Sequence, residues 1–183
     1  MKIYFIASSD VNDTILKKYE NILNLIRAQG NHVGTSVCFD KSLKMDPFCN
    51  IYESITKNIE EADIIVADIS YPSGGVGFQI YHAIEKKKPT LIIYSEDHGS
   101  NPSVVIRGIQ SPKVLIYKYS NTNELSLHFP KLLEKCQKMI KVRFNLVLTN
   151  RELSFLNKYA NSHKVSTTKL IRSLINNFIK VNE

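Results

Sequence analysis

Asp63-Ile64-Ile65-Val66-Ala67-Asp68-Ile69-Ser70-Tyr71-Pro72-Ser73-Gly74-Gly75-Val76-Gly77-Phe78-Gln79 is the stretch whose reading decides the fold. Its first half, Asp63–Ser70, is a short, nearly unbroken apolar run, the pattern of a strand buried on both faces. Its second half is a turn rich in glycine that feeds a helical pattern starting at Val76. A buried strand, a glycine-rich turn and a helix, in that order, form an anion site at the carboxyl edge of a parallel sheet. Glycines at 74, 75 and 77 leave no Cβ between the backbone N–H groups and a bound anion.

Strand and helix signals alternate on both sides of this segment. Lys2–Ser8 is apolar and β-rich. Ile15, Leu16, Tyr19, Ile22, Leu23, Leu25 and Ile26 give helical spacing over Thr14–Ala28, stopped by Gly30. His32–Phe39 alternates like a strand, and Pro47–Glu61 carries Ile51, Ile55 and Ile59 on one helical stripe. Val76–Lys87 is helical and ends before Pro89. Thr90–Tyr94 is a strand, Glu96–Ser103 a polar loop, Lys113–Tyr119 a strand and Glu124–Ile140 a helix. Five strands alternating with helices predict a flavodoxin- or Rossmann-like α/β fold, a parallel five-stranded sheet in three layers, with strand order 2-1-3-4-5. Ligands of such sheets bind beyond the carboxyl ends of the strands. The loops after strands 1, 3 and 4 (Ser8–Thr14, Tyr71–Gly77 and Ser95–Arg107) converge there.

The chain has 183 residues, 43% of them apolar, enough for a buried core. No run of 18 apolar residues calls for a membrane span, and Met1–Ala7 is too short for a signal sequence and reads as the first strand. Cys38, Cys49 and Cys136 are scattered without a CxxC pair, as thiols in a reducing cytoplasm would be; a cytoplasmic protein is expected, with neither metal nor cofactor. The net charge of +7 is unevenly placed. Residues 1–140 carry 16 Lys and Arg against 15 acids, residues 141–183 carry 8 against 2. A near-neutral body with a basic end segment is a pattern of nucleic-acid or acidic-surface binding.

The pattern changes after Ile140, which divides the chain into domains 1–140 and 141–183. Val142–Leu148 is a short strand with Phe144, Leu146 and Leu148 on one face and Arg143, Asn145 and Val147 on the other. Thr149 and Asn150 introduce a helix to about Ser162. After a turn at His163-Lys164, Ser166 caps a last helix with Leu170, Ile171, Leu174, Ile175 and Phe178 apolar. About 40 residues cannot bury these faces alone, so a dimer is expected.

Two families resemble these segments. Residues 1–120 are similar to the nucleoside 2-deoxyribosyltransferase superfamily, in the branch of the 2'-deoxynucleoside 5'-phosphate N-hydrolases. The resemblance is carried by Ala62-Asp63 through Ser70, then Pro72-Ser73-Gly74-Gly75-Val76-Gly77-Phe78-Gln79; by Ala7-Ser8 after the first strand; and by Ser103-Val104-Val105-Ile106-Arg107-Gly108 after the fourth. It implies that Ser8, Ser73 and Ser103 hold a 5'-phosphate with Gly74, Gly75 and Gly77, Ser103 reaching over from the partner subunit. Nucleoside-specific relatives carry a carboxylate at the place of Ser73, which would repel a phosphate, so Ser73 favours a nucleotide. The resemblance also places a catalytic glutamate at position 79 and an aspartate at position 55, where this chain has Gln79 and Ile55. Gln79 is neutral and cannot attack C1' of a nucleotide; only a register shift would bring Glu53 to the aspartate's place. Tyr71 and Phe78 are candidate base-stacking rings, and His82 lies one turn beyond Gln79. Asp63 and Asp68 read as structural.

Residues 141–180 resemble the ribbon-helix-helix repressors. The carrying residues are Arg143–Thr149, then Leu153, Leu156 and Tyr159, then Val165–Ile171. The resemblance implies a two-stranded ribbon from two subunits in the DNA major groove, with Arg143, Asn145 and Val147 toward base edges. The start of the second helix (Ser166, Thr167, with Lys169) would meet a phosphate.

The expected protein is therefore a homodimeric, ligand-responsive DNA-binding regulator with a catalytically silent nucleotide-binding domain. Its ligand would be a nucleoside monophosphate or a related phosphorylated small molecule, with Gln79 bonding the ribose; assembly beyond the dimer stays open. The alternatives are an active deoxyribosyltransferase or nucleoside 5'-monophosphate N-glycosidase, and a nucleotide-binding protein whose end segment only dimerises.

Overall fold

The computed structural model describes residues 1–35, 48–71, 73–96, 100–140 and 145–182. The expected strand residues 36–39 and 142–144, Cys38, Pro47, Pro72, Gly99, Lys141 and the candidate base reader Arg143 lie outside them, as does the side chain of Cys49. The chain divides into two compact units, Met1–Lys141 and Val142–Glu183.

In the first unit five strands, β1 (Lys2–Ile6), β2 (His32–Thr35), β3 (Ile64–Asp68), β4 (Thr90–Ser95) and β5 (Val114–Tyr119), form one sheet. All neighbours are parallel and the order is β2-β1-β3-β4-β5. Helices α1 (Asp13–Ala28), α2 (Phe48–Glu61) and α3 (Gly74–Glu85) link the first four strands, the short α4 (Val104–Arg107) lies between β4 and β5, and α5 (Thr122–Gln137) follows β5. The order turns back at β1, and the crevice of a doubly wound sheet opens at that reversal.

Alternation along β1 separates two cores. Ile3, Phe5 and Ala7 point to a layer with Tyr19, Ile22 and Ile26 of α1 and Phe129, Leu132 and Leu133 of α5. Tyr4 and Ile6 point the other way, toward Ile59 of α2 and Val76, Ile80 and Ala83 of α3. β3 is buried along its whole length, as its apolar run predicts. The amino edge is pinned by Asp63, whose Oδ2 accepts from the Lys2 backbone N–H at 2.8 Å, and by ion pairs of Lys2 with Glu61 and Lys86 with Glu60. Asp63 is thus a structural residue at the end of the sheet remote from the carboxyl-edge loops.

Several boundaries differ from expectation by one to three residues. Helix α3 starts at Gly74 rather than Val76, because Ser73 is already in the extended conformation of a cap residue. Helix α5 ends at Gln137 rather than Ile140 and tolerates Pro130 inside it.

In the second unit α6 (Asn150–Ser162) and α7 (Thr167–Asn182) form a helical hairpin. A capping box opens α6: the Thr149 hydroxyl accepts from the Glu152 N–H, and the Glu152 carboxylate accepts from the Thr149 N–H at 2.8 Å. Lys164, at φ +52°, makes the turn. Ser166 Oγ accepts from the Lys169 N–H at 3.2 Å, and Thr167 Oγ1 donates to Asn157 Oδ1 at 2.9 Å, tying the helices. Residues 145–148, the described part of the expected strand, have no regular secondary structure and pair with no described strand. A single ribbon strand has no ladder within one chain. Ala160 is the buried apolar residue of this hairpin; Leu153, Phe155, Tyr159, Leu174, Ile175 and Phe178 are exposed.

Candidate functional site

The carboxyl edge of the sheet carries the glycine turn. Ser73 is the cap residue of α3, yet its side chain makes no cap hydrogen bond, which leaves its hydroxyl available. Ser103 caps α4 and accepts from the Ile106 N–H at 3.4 Å. Both serines line one cavity of about 730 Å³. Gly74 and Gly77 line it too, and an added Cβ at either would meet nothing within 4 Å. Packing therefore does not require glycine at these positions; the open space lies where a ligand or a second surface could approach. The rest of the wall is apolar: Ile69, Val76, Ile80, Ile84, Val105, Ile106 and Ile109, with Tyr71 and Tyr81.

The other expected site residues lie elsewhere. Ser8 is buried just beyond β1. Gln79 is 6% exposed and its Oε1 accepts from the Tyr4 hydroxyl at 3.2 Å. Neither Ser8, Gly75 nor Gln79 is among the described lining of the cavity. The cause is the helical period. At 100° per residue, Ser73, Gly77, Ile80 and Ile84 share one side of α3, whereas Gly75, Gln79 and His82 fall on another. One chain also brings Ser103 to the same wall as its own Ser73, whereas the family resemblance draws that serine from a partner.

The surroundings of Gln79 match its neutral amide. Ile55, at the place of the expected aspartate, packs against the core layer that contains Tyr4 and Ile80. Glu53 is exposed on α2. Phe78 stacks on His82 (centroids 6.1 Å, planes 14° apart) and meets Tyr52 of α2 at 5.8 Å, forming a partly exposed aromatic row. Tyr71, by contrast, lines the cavity.

Sequence reasoning treated Asp68 as structural without locating its partners. It is the last residue of β3 and is 1% exposed. Its carboxylate accepts from the Ser70 N–H at 2.8 Å and from the Tyr119 hydroxyl at 3.2 Å. Burial pushes its pKa above the usual carboxylate range, against the bonds from Ser70 and Tyr119 and the nearby Lys18 charge, which pull it down. Tyr81, Val105 and Ile109 also went unnoticed; isolated apolar residues around a turn give no signal of facing a cavity.

Among the described residues no group of three or more His, Cys, Asp or Glu could hold a metal, and no helix is long and apolar enough to cross a membrane. In the second unit Asn145, Val147, Ser166 and Lys169 are exposed.

The fold and the serine-glycine turn define a deoxyribosyltransferase-like α/β domain. The solved 2-deoxyribosyltransferase of Bacillus psychrosaccharolyticus superposes with a TM-score of 0.54 at 17% identity, covering 72% of this chain and 96% of that one. The CMP N-glycosidase of Clostridium botulinum superposes with a TM-score of 0.52 at 18% identity, covering 71% and 99%. In sequence, the chain is 34% identical over 130 residues to a Syntrophotalea carbinolica protein provisionally named 2'-deoxynucleoside 5'-phosphate N-hydrolase 1, covering 68% of this chain and 89% of the relative. The chain belongs to the nucleoside 2-deoxyribosyltransferase superfamily, in the family of the 2'-deoxynucleoside 5'-phosphate N-hydrolases. No protein-family model matches it.

Proposed function

We propose that residues 1–140 bind a nucleoside monophosphate, or a related phosphorylated small molecule, without cleaving it, and that residues 141–183 are a dimeric ribbon-helix-helix module that binds DNA. The observation that carries the first half is the combination of an uncommitted Ser73 hydroxyl, Ser103 and the glycine start of α3 on one cavity with a neutral amide at position 79. Backbone N–H groups at a helix start and serine hydroxyls suit a phosphate, and a nucleotide fits within about 300–1,000 Å³ of pocket. Loss of a nucleophile typically costs about 10⁴-fold or more in rate, and with Ile55 where an aspartate is expected a second carboxylate is missing as well.

The second half is supported by charge and by the exposed apolar faces of α6 and α7, which a second copy would cover. In the assembled dimer, Asn145 and Val147, with Arg143, would meet base edges, and Ser166, Thr167 and Lys169 a phosphate. Ligand occupancy is proposed to alter DNA affinity, which makes the chain a ligand-responsive regulator.

A second reading, an active N-glycosidase, is favoured by the names of the relatives, one an N-hydrolase and one a CMP N-glycosidase. One titration separates the two. Nucleoside and deoxynucleoside monophosphates are added to the purified chain, with heat of binding and free base followed in the same samples. Binding without base release supports the sensor, base release makes the chain an enzyme, and no binding refutes the ligand reading.

A further inference from the structure

We infer that Asp68 is the positioning residue of the candidate phosphate site: through Ser70 it sets where the loops bearing Ser73 and Ser103 lie. The inference rests on the ligand reading above and names the device that would hold that site in shape.

Ser70 uses three backbone and side-chain groups at once. Its N–H donates to Asp68 at 2.8 Å. Its Oγ accepts from the Ser95 N–H at the end of β4, at 2.9 Å. Its carbonyl accepts from the Asn101 N–H at 2.9 Å. Ser70 lies three residues before Ser73, and Asn101 two before Ser103. One residue therefore joins the loop after β3 to the loop after β4, the two loops that supply the hydroxyls of the cavity wall. Asp68 anchors that residue from the sheet and is itself held from β5 by the Tyr119 hydroxyl. The clip spans β3, β4 and β5.

A carboxyl group that is 1% exposed is costly to keep. The charged groups and donors facing it come from several elements: Lys18 on α1, Tyr119 on β5 and Ser70 in the turn. An apolar residue at this β-strand end would pack as well, but would leave the Ser70 N–H without its acceptor. Ser70 and Ser95 are buried to the same degree as Asp68, at 1% and 2% exposure, so bulk solvent does not reach the turn to replace a lost bond. The displaced loop would carry Ser73 away from Ser103, and a site that recognises a phosphate through two hydroxyls depends on their separation.

The test uses the full chain and two readouts. Amide hydrogen exchange at Ser70, Ser95 and Asn101, without ligand, reports the clip itself. Titration with a nucleoside monophosphate and with its parent nucleoside reports phosphate discrimination. Asp68→Ala is expected to speed exchange at Ser70 and Asn101, and to reduce the nucleotide-to-nucleoside affinity ratio, each by on the order of tenfold or more. Asp68→Asn retains an acceptor for the Ser70 N–H and should restore both. Unchanged exchange at Asn101 in Asp68→Ala overturns the inference, as does an equal loss of nucleotide and nucleoside binding. If the parent protein binds no nucleotide, the ligand reading fails while hydrogen exchange still judges the clip. Should Asp68→Ala not fold, Tyr119→Phe removes one donor to the carboxylate, and a smaller change in the same direction is expected; no change at Ser70 or Asn101 refutes the clip.

Discussion

Replacing Gln79 by glutamate puts a charge where the structure holds an amide. The side chain is 6% exposed and its Oε1 receives the Tyr4 hydroxyl at 3.2 Å. Glutamate has the same shape, so packing should survive. The new carboxylate keeps the Tyr4 donor but loses most of its hydration; an incompletely compensated buried polar group costs about 1–3 kcal/mol. For a chain of this size that lowers Tm by roughly 3–10 °C. The pH dependence gives the sign. Burial raises the folded-state pKa of the introduced carboxyl above its unfolded value, so the folded state binds more protons. The deficit of Gln79→Glu is thus full above the folded pKa and shrinks as pH falls toward the ordinary glutamate range. Thermal unfolding of parent and variant from pH 5 to pH 8 reads it directly. An equal deficit at both ends, or none at either, would refute the placement of residue 79 in a desolvated site beside Tyr4.

Cys136, in the last turn of α5, is fully buried, and burial pushes its thiol up to about 12. It should resist alkylation at pH 8 in the folded chain and react on unfolding; rapid labelling of Cys136 under native conditions would contradict its burial. DNA affinity should fall steeply with salt, and Lys169→Ala should weaken binding to all sequences alike while reducing the slope of log K against log salt by about 1. Asn145→Ala should instead relax preference at particular base pairs, and an affinity independent of salt would remove the DNA-binding proposal.

The architecture was legible because it follows from local signals. Five strand signals separated by helical or loop segments leave a right-handed parallel sheet as the solution; the observed order β2-β1-β3-β4-β5 is the flavodoxin-like one expected for such a series, although alternation alone does not fix it. The glycine turn was equally visible, since a cap residue and a helix start are neighbours in sequence. The register of α3 was not. The family resemblance grouped Ser8, Ser73, Gly74, Gly75, Gly77 and Gln79 with Ser103 of a partner subunit; within one chain Ser73, Gly74, Gly77 and Ser103 line one cavity, and Gln79 lies against Tyr4 on another side of the helix.

What the sequence by itself determined is the doubly wound α/β frame, the loops that meet at its carboxyl edge, and the amide and isoleucine standing where carboxylates are expected. What only the tertiary structure decided is which residues share a wall. The cavity joins residues 69–84 to 103–109, and the clip joins Asp68 to Tyr119, 51 positions away. Such neighbours are fixed by which face of a helix is buried against the sheet and by how strands align in register, and neither quantity is a property of any short stretch of chain.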